Sequence, residues 1–104
     1  ETVEDVADRH PELGLIVSDD IWPEEGFFFR SDHYNFARSG VPALFFFAGV
    51  HEDYHRPSDS VEKIDPDKVE RVARMIFYTS YELATGDRPR WYPEGLAEVR
   101  RMSR

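Results

Sequence analysis

The chain has 104 residues, of which 40% are hydrophobic and 14% aromatic, and its formal net charge is −8. That length allows a single domain with a modest core, the apolar content excludes intrinsic disorder, and the acidic balance argues against binding to nucleic-acid phosphates. No apolar run reaches the roughly 18 residues of a membrane-spanning helix, and the absence of cysteine excludes disulfides and thiolate zinc sites.

The first part of the chain predicts a helix, a short strand and a loop. Apolar residues at helical spacing predict a helix over residues 2–10, which Pro11 ends. The apolar, β-branched run 13–17 predicts a strand, and the acidic segment 18–26, with its proline and glycine, predicts a loop. The aromatic triplet 27–29 is compatible with a brief strand or a buried loop.

The second part contains the strongest patterns. A short helix is expected over 31–38, and 41–48 predicts a strand that is covered on both faces, because it is apolar throughout. The polar segment 49–64 predicts a loop. The best helix runs over 65–86, and a further amphipathic helix is expected within 87–104. The stripe that we expect the best helix to bury consists of Val69, Val72, Ala73, Ile76, Phe77, Ser80 and Leu83/Ala84.

Helices around a doubly covered strand predict an α/β fold, arranged as a three-layer α/β/α sandwich. A complete sheet of that kind usually has more strands than 104 residues supply. We therefore expect a partial sandwich, either a piece of an α/β domain or a small domain that needs a partner surface.

The segment 51–59 holds the most chemistry, with two histidines, three acids and a tyrosine after the strong strand. Ligands bind at such positions in open α/β sheets, so a metal or acid–base site and a solvated polar loop both remain open. The four-residue spacing of His51 and His55 aligns two metal ligands only on a helix, and it is weak support here. The adjacent Ser31-Asp32-His33 cannot form a catalytic triad, and a helix cap is the preferred interpretation.

Two segments carry a family resemblance. SDHYNFARSGVPALFF at 31–46 and DYHRPSD at 53–59 resemble signature segments of the zinc aminopeptidases of the aminopeptidase S and aminopeptidase Y family, in metallopeptidase clan MH. Glutaminyl cyclases, glutamate carboxypeptidase and the transferrin receptor are relatives. The resemblance covers about residues 10–86. It implies the C-terminal part of a phosphorylase/hydrolase-like zinc peptidase fold, and hydrolysis of N-terminal peptide bonds at a two-zinc site.

The resemblance also implies roles for four residues. His55 corresponds to a zinc ligand, and Tyr54 to the residue that stabilises the oxyanion in some members. Asp32 and Asp59 correspond to polar positions that orient ligands or position loops, and for Asp59 a cap or loop hydrogen bond remains an equal alternative. His33 is expected to be a buried, hydrogen-bonded histidine and not a ligand, while the remaining two histidines are expected at the surface.

Most of the family's site is missing from this sequence. No His-x-Asp pair precedes Ser31, and Glu24-Glu25 lies too close to Ser31 to be the family's catalytic pair. The resemblance thus leaves the last metal ligand of the family and not the rest of the site, and the first residue is Glu1 and not methionine. We therefore expect residues 1–104 to be the C-terminal segment of one zinc peptidase catalytic domain. The segment alone is expected to hold an incomplete zinc site and to be inactive, whereas the parent enzyme would take a peptide substrate.

Two alternatives remain. A glutaminyl-cyclase-like acyltransferase would share the last histidine but usually has tryptophan where Tyr54 stands. The other alternative is a metal-free interaction or dimerisation module of the same fold, and the presence of Tyr54-His55 argues mildly against it. Exposure of the triplets 27–29 and 45–47 predicts a homo-oligomer. No nucleic-acid or membrane partner is expected, and a secreted or periplasmic location is implied by the resemblance alone.

Overall fold

The computed structural model describes residues 1–102, and 54% of the chain is helical. The α-helices of this part are α1 (Thr2–Arg9), α2 (His33–Arg38), α3 (Pro66–Thr85) and α4 (Pro93–Met102). Single 3-10 turns lie at Pro11–Leu13, Pro23–Glu25, Phe27–Phe29 and Val61–Lys63. None of the helices in the described part is long and apolar enough to cross a membrane.

Residues 1–102 contain no strand or sheet, so the predicted α/β sandwich is wrong. A strand needs a neighbour that accepts its backbone hydrogen bonds, and the described residues supply none to segment 13–17 or to segment 41–48. Leu13 instead ends a 3-10 turn, and the left-handed φ of 61° at Gly14 bends the backbone behind it. In the second segment Leu44 is 50% exposed, which is incompatible with cover on both faces.

The chain forms two compact units. The first unit comprises Glu1–Ser18 and Ala48–Gly86, and the second comprises 19–47 and the residues from Asp87 onward. Helix α1 packs on α3 in the first unit, where the buried cluster consists of Val3, Val6, Leu13 and Met75. Polar contacts join the same elements, since Arg9 pairs with Glu82 and Arg71 Nη1 donates to the Leu13 carbonyl over 3.1 Å.

Local signals set the ends of α3 as the sequence predicts. Asp65 is the N-cap and accepts a hydrogen bond from the Lys68 backbone N–H over 3.2 Å, Pro66 opens the helix, and Gly86 follows its last residue.

The buried face of α3 is not the predicted stripe. Met75 and Thr79 are 2% exposed, whereas Val69 is 56% and Phe77 64% exposed. The short helix α1 covers one narrow face, and that face carries Met75. Adjacent positions on a helix lie about 100° apart, so the stripe around Ile76 and Phe77 turns away from α1 and stays uncovered in the first unit.

Aromatic rings dominate the second unit. The Phe27 ring is 6% exposed and contacts the Phe47 ring, with centroids 4.6 Å apart. The aromatic triplet forms a 3-10 turn behind Gly26, whose φ is 63°. His33 opens α2 and stacks on Phe45 at 4.6 Å, with both ring nitrogens shielded from solvent. Burial lowers the pKa of His33 below its ordinary value of 6.5.

Candidate functional site

The segment 51–59 lies in the first unit as a series of tight turns. The Tyr54 backbone N–H donates to the His51 carbonyl over 3.0 Å, and the Arg56 N–H donates to the Asp53 carbonyl over 2.9 Å. Such bonds between residues i and i+3 are typical of β-turns. We refer to residues 51–59 as the His55 loop.

His55 has the most unusual backbone of the loop. Its φ of 56° is the only positive φ at a non-glycine position in the described part of the chain. The left-handed region costs an L-residue roughly 1–2 kcal/mol, although histidine visits it more often than most residues do. The side chain is exposed and makes no hydrogen bond within residues 1–102. Its ring nitrogens are therefore free to bind a ligand.

Tyr54 packs directly against His55. The two rings stack with their centroids 4.1 Å apart and an interplanar angle of 19°. The His51 and Tyr54 rings meet edge to face, with their centroids 6.3 Å apart, and Tyr54 is half-buried. The two residues to which the resemblance gives a zinc-binding and an oxyanion role thus lie in contact.

Asp53 ties the loop to the 3-10 turn that follows it. Its Oδ1 accepts from Lys63 Nζ over 2.9 Å, and its backbone N–H donates to His51 Nδ1 over 3.2 Å. Hydrogen bonds from the Ser58 side chain, and then from Lys63, hold the pKa of Asp53 below its ordinary value. Sequence reasoning gave no role to Asp53 or Lys63. The opposite charges of these two residues, ten positions apart around one predicted loop, were the signal from which an ion pair could have been predicted.

Asp59 lies beside an open cavity of about 380 Å³ in the first unit. The residues that line this cavity are His51, Glu52, Asp53, Asp59, Lys63 and Ile64. The backbone N–H of Asp59 donates to the Arg56 carbonyl over 3.0 Å, which helps to close the loop. Tyr54 and His55 are not among the lining residues, so Asp59 shares the loop with them but faces other neighbours.

Asp32 belongs to the second unit, where it occupies the N-cap position of α2. Its backbone is helical, with φ −65° and ψ −26°, and its carboxylate makes no cap hydrogen bond. The side chain is exposed. A capping role for this carboxylate, which the sequence favoured, is therefore absent.

The sequence pattern of peptidase family M28 matches residues 2–80. This chain belongs to that family. The resemblance predicted from segments 31–46 and 53–59 is confirmed, because both segments lie inside the matched range.

Two relatives are similar to this M28 chain, the probable leucine aminopeptidases of Arthroderma benhamiae and Trichophyton verrucosum. Each is 34% identical over 58 residues, which amount to 52% of this chain and 16% of the relative. The chain therefore spans about one sixth of the length of these relatives. No solved structure matches it.

The donor chemistry of the His55 loop fits one ligand position of a zinc ion. Neutral imidazole is a preferred zinc ligand, and the His55 ring is exposed and without a hydrogen bond in residues 1–102. In the same residues no three histidine or acidic side chains come together as a metal-binding group. Zinc usually takes three or four protein ligands, so residues 1–102 would not complete such a site by themselves.

Proposed function

We propose that this chain is part of a zinc-dependent peptidase that removes N-terminal residues from peptides, with His55 as one zinc ligand. Membership of family M28 and the similarity to two probable leucine aminopeptidases support this proposal. The observation that carries it is the left-handed backbone of the exposed His55, stacked on Tyr54. Such backbone strain persists where function requires a fixed side-chain position.

The residues of this chain would divide the chemistry as follows. His55 binds zinc through a neutral ring nitrogen, and a bound zinc supplies an activated water and polarises the scissile carbonyl. The Tyr54 hydroxyl donates a hydrogen bond to the carbonyl oxygen as negative charge develops on it. The stacked rings hold these two groups in a fixed relation, which reduces the reorganisation needed during the reaction.

The proposal extends to the whole protein. A two-zinc site needs further ligands and a general base, and in our proposal these come from other parts of the longest natural form. Residues 1–104 would then be one segment of a catalytic domain, with Asp32 and Asp59 positioning loops around the completed site. We expect the isolated 104-residue chain to leave leucine p-nitroanilide uncleaved, because one histidine cannot hold a catalytic zinc. Chelator-sensitive hydrolysis by the isolated chain would contradict this.

The test uses the longest natural form and two histidine variants of one loop. His55→Ala is expected to lose bound zinc, measured by elemental mass spectrometry, together with hydrolysis of leucine p-nitroanilide. His51→Asn is the matched control, since it removes an imidazole from the same loop but keeps an acceptor for the Asp53 N–H. The proposal fails if His55→Ala retains the zinc content of the unaltered protein.

The same measurements separate the two alternatives. A zinc content near zero in the unaltered protein would favour the metal-free interaction module. Zinc with cyclisation of N-terminal glutamine, and without peptide hydrolysis, would favour the glutaminyl-cyclase-like acyltransferase. The names of the two relatives favour the aminopeptidase.

Two further expectations remain proposals. Export from the cytoplasm follows only from the relationship, and cell fractionation of the longest natural form tests it. Self-association is supported by apolar exposure in the second unit, where Val41 is 49%, Leu44 50% and Phe46 37% exposed. Light scattering that shows a monomer at high concentration would contradict self-association.

A further inference from the structure

The ion pair between Asp53 and Lys63 closes the chain segment that carries His55. Asp53 precedes His55 by two residues, and Lys63 ends the 3-10 turn Val61–Lys63 beyond the loop. Lys63 Nζ lies 2.9 Å from Asp53 Oδ1. The contact therefore fixes both ends of the segment within which the strained residue lies.

The energy of such a pair is too small to explain it as a device for stability. The Lys63 side chain is 47% exposed and that of Asp53 16%. Because the Lys63 ammonium is about half exposed, solvent screening keeps the contribution of this pair to the free energy of unfolding small. A contact of that size can nevertheless select one loop conformation over others of similar energy.

Asp53 is anchored through its backbone as well as its side chain. Its N–H donates to His51 Nδ1 over 3.2 Å, and its carbonyl accepts from the Arg56 N–H over 2.9 Å. With the carboxylate held by Lys63, every polar group of Asp53 has a partner. The chain is thus fixed immediately before the Tyr54-His55 pair.

The strain at His55 requires such anchoring. A non-glycine residue stays in the left-handed region only where its surroundings over-determine that conformation. In the described residues the imidazole has no hydrogen bond of its own, and its contact is the Tyr54 ring. The constraint must therefore come through the backbone, and Asp53 is the nearest residue that an ion pair holds in addition to backbone hydrogen bonds.

We propose that the Asp53–Lys63 ion pair is a positioning device, which holds the His55 loop in the conformation that presents the His55 imidazole to zinc. The inference rests on the proposed function of His55 as a zinc ligand. Neither Asp53 nor Lys63 touches the metal in this proposal. Both residues act through the backbone conformation of His55.

The first measurement is made on the isotope-labelled 104-residue chain by NMR. A residue with positive φ gives a strong NOE between its own amide and α protons, and we expect this signal at His55. Lys63→Met, which keeps the apolar stem, is expected to weaken the signal to that of extended backbone. Lys63→Arg should restore it, and Lys68→Met, at the chain's other lysine, should leave it unchanged.

The second measurement is the zinc affinity of the longest natural form, determined by competition with a chelator. Loss of a group that orients a metal ligand typically weakens binding about 10–100-fold, and we expect about tenfold for Lys63→Met. Lys63→Arg and Lys68→Met should bind zinc as the unaltered protein does. A contact with a merely structural role would leave zinc affinity unchanged.

The outcomes separate the two proposals. An unchanged His55 NOE in Lys63→Met overturns the positioning role, even if His55→Ala shows that His55 binds zinc. An altered NOE with unchanged zinc affinity also overturns it. If His55→Ala itself retains full zinc affinity, the proposed function fails, and the pair then has no metal ligand to position.

Discussion

Separate substitutions of Met75 and Phe77, two residues apart on α3, test which face of that helix packs into the core. Met75→Ala truncates a side chain that is 2% exposed and packs with Val3, Val6 and Leu13. Phe77→Ala truncates a larger ring that belongs to the apolar stripe but is 64% exposed. The apolar pattern alone predicts that the phenylalanine matters more, and the structure predicts the reverse.

The structure sets the expected magnitudes. Truncating a buried methionine to alanine costs about 2–5 kcal/mol, and we expect the lower half of that range because short α1 can shift to fill part of the cavity. Burying a whole phenylalanine is worth about 1.5–3 kcal/mol, and only about a third of Phe77 is covered. The covered third is therefore worth about 0.5–1 kcal/mol. The better helix propensity of alanine offsets a few tenths of a kcal/mol of this loss. Phe77→Ala should therefore cost less than about 1 kcal/mol.

The assay is urea unfolding of the 104-residue chain, followed by far-UV circular dichroism. Because the chain forms two compact units, a single transition is not assured. Amide exchange of α3, measured by NMR, provides a probe that reports on the first unit alone. Equal m-values would show that the substitutions changed the stability and not the denatured state. Agreement at two protein concentrations would exclude an effect of self-association.

The refuting result is specific. If Phe77→Ala destabilises α3 as much as Met75→Ala does, or more, the apolar stripe is the core of the first unit. The packing of α1 against the Met75 face would then be wrong. A small effect of both substitutions would also refute the reasoning, since it requires one buried face.

Three further predictions use the same unfolding assay or its pH dependence. Arg71→Met should cost about 1.5–3 kcal/mol, because the part-buried Leu13 carbonyl loses a charged donor 3.1 Å away; a loss below 0.5 kcal/mol, roughly the value of an ordinary surface change, would contradict this. Asp65→Ala should cost about 0.5–2 kcal/mol through the lost cap on the Lys68 N–H, and Asp65→Asn should cost less. Burial lowers the pKa of His33, so the stabilisation present above its ordinary value of 6.5 is lost as pH falls through the lowered pKa. His33→Phe should abolish this loss on the acid side, and an unchanged pH profile would contradict the assignment.

Local chemistry explains which elements the sequence predicts correctly. The ends of α3 depend on Asp65, Pro66 and Gly86, whose effects act within one turn, and the structure has the helix where those residues place it. The buried face of α3 depends on which element packs against it. Val69 and Met75 are both apolar, so the sequence holds no signal that distinguishes the face covered by α1 from the face left open.

The prediction of a strand at 41–48 is wrong for a related reason. An apolar run indicates that a segment is suited to burial, but a strand also needs a neighbouring strand to pair with its backbone N–H and C=O groups. The described residues provide no such neighbour, and Leu44 and Phe46 remain 50% and 37% exposed. The segment lies between Gly40 and Gly49, whose φ values are 86° and 95°. Composition could not reveal this, because pairing is a property of two segments.

The site shows the same division between local and distant causes. The segment DYHRPSD identified the loop and its Tyr54-His55 pair, because residue types at fixed spacing suffice for that. The left-handed φ of His55 has no such signature, since histidine gives no local preference strong enough to require it. The contact that we infer to hold this conformation joins Asp53 to a lysine ten residues later. The loop motif thus names the group that we propose as a metal ligand, whereas the residues that we propose to set its geometry are brought together only in the folded chain.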